Sequence, residues 1–304
     1  MTSLRQGTIH LFRVSGIDLF LHWSWFLVAV IEINNRARSY SSLTWNVLEY
    51  LALFFIVMLH EFGHALACRQ VGGTANRIVL WPLGGVAYVS PPPRPGATLW
   101  SIAAGPLVNV VLLPVSSVFW FLYRSLGWAA AMPNAYAWLR AVWYMNLGLL
   151  VFNLLPIYPL DGGQILRSLL WYVVGRARSL MAATIVGFVG VAGLIIVAVV
   201  MQSAWFGVLA VFILMNCWGG LRQAQALSRL AKLPRREGFA CPSCKTSPPV
   251  GDFWICGQCQ GRFDTFQTQA VCPHCAAQFA TTKCLDCGYA HPLREWAVSA
   301  FAPP

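Results

Sequence analysis

Residues 51–67 read LALFFIVMLHEFGHALA, an apolar run long enough to enter a bilayer that carries His60, Glu61 and His64 near its end. A charge in hydrocarbon costs on the order of a few kcal/mol, so ionisable residues at that depth sit in a bundle interior and mark function. Three of them within five positions restrict the fold sharply. The run must lie in a helical bundle whose other members meet these groups.

Composition supplies the rest of the bundle. Of 304 residues, 58% are hydrophobic and 10% charged, and the mean hydropathy is +0.60. A soluble domain carries about 25% charged residues, so the chain reads as a polytopic membrane protein. Uncharged runs at 96–123, 141–160, 180–201 and 204–221 are each about the ~20 residues that span a bilayer. The histidine-bearing run at 45–67 is a fifth. A sixth, LFLHWSWFLVAVI at 19–31, is shorter, with Trp23 and Trp25 suited to an interface. The expected fold is therefore a polytopic α-helical membrane protein of about six transmembrane helices.

The opening MTSLRQGTIHLFRVSG has no apolar core followed by a small-residue cleavage site, so no removable signal peptide is expected. The net charge of +11 invites a nucleic-acid reading, but its placement argues otherwise. With a cytosolic N-terminus and six crossings, Arg5, Arg13, Arg69, Arg77, Arg94, Arg167, Arg176, Arg178 and the basic residues from Arg222 to Arg236 face the cytosol. Only Arg36, Arg38, Arg124 and Arg140 fall outside. That is the positive-inside bias. It predicts a multi-pass protein of an inner or plasma membrane with both termini cytosolic, and no nucleic-acid partner.

On a helix, residues four apart share a face, one turn apart. His60 and His64 thus present two imidazoles to one point, with Glu61 beside them. His-Glu-x-x-His is the zinc-hydrolase arrangement: two ligands, and a carboxylate to take a proton from water. A catalytic zinc wants a third protein ligand and keeps one position open. Histidines that merely hydrogen-bond between helices are the plain alternative, but they leave Glu61 without a cation. Cys68, one turn further along, reads as a small buried residue.

The third ligand should be an acid on another helix. Asp161, in FNLLPIYPLDGGQIL, is the only acid between Glu61 and the stretch 234–237. Pro156 and Pro159 break helical hydrogen bonding just before it, and Gly162 and Gly163 follow. Alone, Asp161 would read better as the N-cap of the next helix, since Asp is a favoured cap; beside His60, Glu61 and His64 it reads as the ligand.

HEFGH on the second spanning run, NLLPIYPLDGG (153–163) on the fourth, PLGG (82–85) and AAGPLVN (103–109) together resemble the site-2 protease family of intramembrane zinc metalloproteases. The resemblance covers roughly residues 9–222. It implies an intramembrane metalloprotease domain, 1–222, in which His60, His64 and Asp161 bind a catalytic Zn2+ and Glu61 is the general base. It also implies that Asn153 helps polarise the scissile carbonyl. Tyr158 departs from the proline common in relatives, outside the ligand positions. Neither the inserted PDZ domain nor the appended CBS domain of other branches is visible. RIVLWPLGGVAYVS (77–90) is expected to form a hairpin around its Gly-Gly, with the alternating TIHLFRV pairing to it. By the resemblance this is a small membrane-associated β element whose edge could hold an extended substrate. Asn109 and His22 read as packing or interfacial residues.

Composition changes after Leu233. LPRREGFA reads as a polar hinge within a basic linker, 223–240, and beyond it come eight of the ten cysteines. Cys241, Cys244, Cys256 and Cys259 form two Cys-x2-Cys knuckles; Cys272, Cys275, Cys284 and Cys287 form two more. Four thiolates close a structural zinc. Residues 241–291 are therefore expected to be a tandem zinc ribbon, with four cysteines around each of two structural Zn2+, followed by a tail, 292–304. Pairing in chain order is the simplest reading, with interleaved pairing left open. Disulfides would need an oxidising compartment. Lys245, Arg262, Lys283 and Arg294 balance Asp252, Asp264, Asp286 and Glu295, which favours a protein partner for the ribbon over nucleic acid.

The function expected is an intramembrane zinc endopeptidase acting in the lipid bilayer on single-span transmembrane protein substrates or signal-peptide remnants. A metal transporter could use the same ligands but has no need of the adjacent glutamate. A catalytically inactive zinc-binding scaffold would more naturally have lost one of these residues.

Overall fold

The computed structural model describes residues 7–36, 39–81 and 84–298. Pro82 and Leu83 of PLGG, Arg5, Arg38 and the last residues of the tail lie outside this range. Two compact units emerge. One comprises Met1–Val174 with Ala182–Gly219, the other Gly175–Met181 with Gly220–Pro304.

In the first unit, strands β1 (Thr8–Val14), β2 (Ile17–His22), β3 (Thr74–Trp81) and β4 (Gly84–Ser90) form one sheet in that order. The expected hairpin is present: β3 and β4 pair antiparallel. The N-terminal stretch, however, pairs with β2 and not with that hairpin, and β2 lies parallel to β3. Its cause is local. Ser15 and Gly16 both take positive φ, 50° and 73°, which suits a two-residue hairpin turn. Ile17, Leu19 and Leu21 then alternate into the core while Asp18, Phe20 and His22 face away. The run at 19–31 is therefore the end of a strand plus a short helix, α1 (Ser24–Asn35).

Helices α2 (Leu43–Gln70), α3 (Pro95–Ser125), α4 (Trp128–Ala131), α5 (Pro133–Leu154), α6 (Asp161–Val200) and α7 (Ala204–Ala231) follow. Proline opens both α3 and α5, where its missing N–H costs nothing. Helix α6 is interrupted at Gly175, with φ 79° and ψ 170°, so the apolar run at 180–201 is its second part. By length and apolarity α2, α3, α6 and α7 can each cross a membrane. Large apolar side chains face outward, such as Phe121, Val173 and Val200, whereas Ser101, Asn109, Asn146 and Thr184 are fully buried. Polar groups inside and apolar groups outside suit a solvent of lipid.

The sheet positions the site. Ile17, Leu19, Leu21, Ile78 and Leu80 pack with Val57, Ala65 and Cys68 of α2, along the half that carries HEFGH. Arg69, in the last turn of α2, donates to Ala75 O at 2.8 Å, to Gly16 O at 2.9 Å and to Ser15 O. That one guanidinium ties the β1–β2 turn and the start of β3 to the helix end. At the other end of α2, buried Glu49 accepts from Arg36 at 2.5 Å and from the Tyr40 hydroxyl. Burial and then that carboxylate push the Tyr40 hydroxyl above its usual range.

The second unit contains hairpins β5 (Trp254–Ile255) with β6 (Arg262–Phe263), and β7 (Thr282–Lys283) with β8 (Ala290–His291). Its core gathers Trp254, Phe263, Phe266 and Trp296 around the cysteines. Ala240 N–H donates to Trp296 O at 2.8 Å and Val298 N–H to Gly238 O at 3.0 Å. Arg235 grips both carboxylate oxygens of Asp286 at 2.7 and 3.1 Å, and Arg236 meets the buried Asp264 at 2.5 Å. Residues 235–240 and 296–298 thus bond within this unit. A small core recruits Phe239 and Trp296 from beyond the metal knuckles, and a buried carboxylate needs its cation.

Candidate metal centres

His60, Glu61 and His64 lie on α2, each at most 6% exposed, with ligand atoms within 4.8 Å of one another. Asp161 approaches the imidazoles more closely still. Its Oδ2 is 3.0 Å from His60 Nε2 and 3.4 Å from His64 Nε2, and the two Nε2 atoms are 3.1 Å apart. The N-cap alternative for Asp161 is absent: it is the first helical residue of α6, and no side chain caps that end.

The opposite ring nitrogens explain the convergence. His64 Nδ1 lies 2.9 Å from the backbone oxygen of Ser101, which can only accept, so that nitrogen carries the hydrogen. His60 Nδ1 lies 2.6 Å from Asn109 Oδ1. With both rings neutral, the form in which imidazole binds a metal, each turns a lone pair toward Asp161, and three acceptors meet with no donor among them. Such a set calls for a cation. Zinc at about 2.0–2.2 Å from tetrahedral nitrogen and oxygen ligands would set them about 3.3–3.6 Å apart, close to the spacings observed.

Two glycines make room for this. A Cβ on Gly105 of α3 would stand 2.3 Å from His64 Nε2 and 2.8 Å from His60 Nε2. A Cβ on Gly85 of β4 would stand 2.2 Å from Glu61 Cγ. Glu61 is held from that same strand, its Oε2 accepting from Ala87 N–H at 2.9 Å. The carboxylate is thus positioned beside the lone-pair cluster by a strand edge. Asn153 lies half-buried in the last turn of α5 and is not among the groups bonded to His60, Glu61, His64 or Asp161. Asn109, which reads as packing in the sequence, contacts the site directly. Its place in AAGPLVN is the available signal.

All eight knuckle cysteines are free thiols gathered in two clusters. The pairing is nested, not in chain order: Cys241 and Cys244 join Cys284 and Cys287, while Cys256 and Cys259 join Cys272 and Cys275. Sulfur–sulfur distances of 3.6–3.7 Å match the ~3.8 Å spacing of four thiolates about 2.3 Å from one zinc. The knuckles are alike in backbone. In each, the residue four after the first cysteine takes positive φ: Lys245, Gln260, Ala276 and Gly288. Its N–H returns to the first cysteine's carbonyl at 2.8–3.1 Å. In the first cluster the Cys284 thiol, by donating to Cys244, draws that thiol down to about 4; burial opposes the shift and Thr246 assists it.

The comparisons agree with this geometry. A family model described as peptidase family M50 matches residues 49–127 and 123–197. A zinc metalloprotease of Methanocaldococcus jannaschii is 36% identical over 184 residues, 59% of this chain and 50% of its own. Stage IV sporulation protein FB of Bacillus subtilis is 32% identical over 126 residues, 41% of each chain. The solved site-2 protease from Methanocaldococcus jannaschii superposes with a TM-score of 0.50 at 28% identity, covering 70% of this chain and 95% of that one. The chain spans about half the length of the curated relatives it matches. The HEFGH helix and the LDGG turn both fall within the matched residues, and by that match and that fold the chain belongs to peptidase family M50, the site-2 proteases.

Proposed function

We propose that the protein is an intramembrane zinc endopeptidase. The observation that carries this reading is the meeting of three lone-pair donors, His60 Nε2, His64 Nε2 and Asp161 Oδ2, beside a separately held carboxylate. When bound there, zinc supplies Lewis acidity, lowering the pKa of water toward about 7 and polarising a carbonyl. Glu61 accepts the proton of the attacking water and returns it to the leaving nitrogen. Asn153, from the family motif, is assigned to the scissile carbonyl. The β4 edge, whose Ala87 amide faces Glu61, would align an extended substrate segment. A helical substrate hides its carbonyls in its own hydrogen bonds, so single-span proteins or signal-peptide remnants that unwind readily are the substrates proposed.

One zinc would sit in the membrane unit and two in the ribbon, with six crossings and cytosolic termini. Support for the topology is the placement of the basic residues. The ribbon zincs are closed by four thiolates and cannot activate water; protein contact is their proposed role.

Co-expression with candidate single-span proteins tests this. Glu61→Gln should retain zinc in the membrane unit and lower cleavage at least ~100-fold, since an amide cannot take the proton. Cleavage surviving near the wild-type rate would remove Glu61 as the base. Wild type that moves metal across vesicles without cutting any substrate would favour the transporter reading. Zinc binding with neither activity would leave an inactive scaffold.

A further inference from the structure

We infer that Asn146, on α5, sets the tautomer and aim of His60, acting through Asn109 as a positioning residue. The inference deepens the metal-site reading and rests on it for one of its two measurements.

The argument starts from a group whose role cannot change. The backbone oxygen of Asn109 only accepts. Asn146 Nδ2 lies 3.0 Å from it, so the nitrogen end of that amide must face it. Asn146 Oδ1 then faces the other way, 2.7 Å from Asn109 Nδ2. Asn109 has thereby committed its nitrogen, and its Oδ1 is left toward His60 Nδ1 at 2.6 Å. An oxygen that only accepts requires a hydrogen on that Nδ1. In the neutral ring that a metal requires, His60 Nε2 then keeps its lone pair, aimed at Asp161 and His64. Each step follows from the one before, back to a main-chain carbonyl.

Asn109 could not do this unaided. A side-chain amide has two nearly isosteric ends. Turned over, Asn109 would donate to Nδ1, force the hydrogen onto Nε2 and point an N–H at the ligand position. Asn146 is what forbids that turn. Asn109 is 0% exposed and Asn146 1%, so bulk water reaches neither bond. His64 provides the internal contrast. Its Nδ1 faces a backbone oxygen directly, and no second residue is needed.

The test uses the full-length protein in detergent with 15N-labelled histidine. Imidazole nitrogen shifts of His60 and His64, assigned with His60→Gln and His64→Gln, report each tautomer. Cobalt affinity of the membrane unit is read by its spectrum, with the ribbon kept loaded with zinc. Asn146→Leu, similar in volume, should mix the His60 tautomers, leave His64 unchanged and weaken cobalt binding about 10–100-fold. Adding Asn109→Asp should reverse this to within a few-fold, because both ends of a carboxylate accept and its orientation no longer matters. Two results would overturn the inference: His60 keeping a single tautomer in Asn146→Leu, or a double variant no better than the single one. If the wild-type membrane unit takes up no cobalt, the metal reading falls, while the nitrogen shifts still decide the role of Asn146.

Discussion

Gly105 of α3 faces the imidazoles of both His60 and His64. Its neighbours leave no room for one more carbon, since that atom would meet His64 Nε2 at 2.3 Å. Gly105→Ala is therefore expected to displace both rings and lower metal occupancy of the membrane unit at least ~10-fold, with fold largely kept. Metal analysis of the purified variant against wild type checks it, and unchanged occupancy would show that α3 can retreat. This residue also shows where sequence reading stops. His60, Glu61 and His64 are visible because the helical repeat makes a four-residue spacing mean one face. Asp161 is visible because acids are so scarce in this unit. Gly105, Asn109 and Asn146 act only through the approach of α3 and α5 to α2, and no one-dimensional period encodes that approach.

Elements are legible where their repeat is strong. Helix α2 begins and ends within a few residues of the run that predicts it. Strand β2 is absorbed into an apolar run because a short stretch of apolar residues fits a period of 2 as well as 3.6. The Ser-Gly pair before it is the better guide. The knuckles mislead differently. Gaps of 11, 12 and 8 residues separate successive knuckles, so spacing favours the chain-order pairing, which closes only short loops. The nested choice has an energetic consequence. The inner site closes a loop of 12 residues, 260–271, whereas the outer site must close 39, 245–283. By loop-closure entropy the outer loop costs about 1 kcal/mol more, unless the inner site forms first and shortens it. Cys284→Ser should leave the inner zinc bound with near-native affinity. Cys272→Ser should weaken the outer site by about sixfold or more. Zinc titration of both variants checks the order, and an outer site indifferent to Cys272→Ser would disprove it.

At the scale of the molecule, division into a membrane part and a cysteine-rich part is plain from composition, because lipid-facing and metal-closed segments use different residues. The seam is not. Residues 175–181, in the interruption of α6, belong to the same unit as the ribbon, and Arg176 donates to the backbone oxygen of Asp286 in the last knuckle. Nothing in a run of helix-forming residues announces a partner so far along the chain. In Cys284→Ser, amide hydrogen exchange should accordingly rise in 175–181 and in 234–240 and stay unchanged in 51–67. Protection of 175–181 that persists would mean this segment is ordered without the ribbon.

That bond between Arg176 and Asp286 also sets a clock. A ribosome adding about 5–20 residues per second reaches Asp286 roughly 5–20 s after it has made Arg176. Throughout that interval Arg176 lacks its bond to Asp286 O, although Asp161 and the HEFGH helix have already been synthesised. This bond of α6 therefore waits for the final knuckle, and the nascent chain passes through a stage that holds His60, Glu61, His64 and Asp161 but lacks the carbonyl that Arg176 meets. Ribosome-bound chains stalled before and after residue 286 are the natural material in which to see that stage.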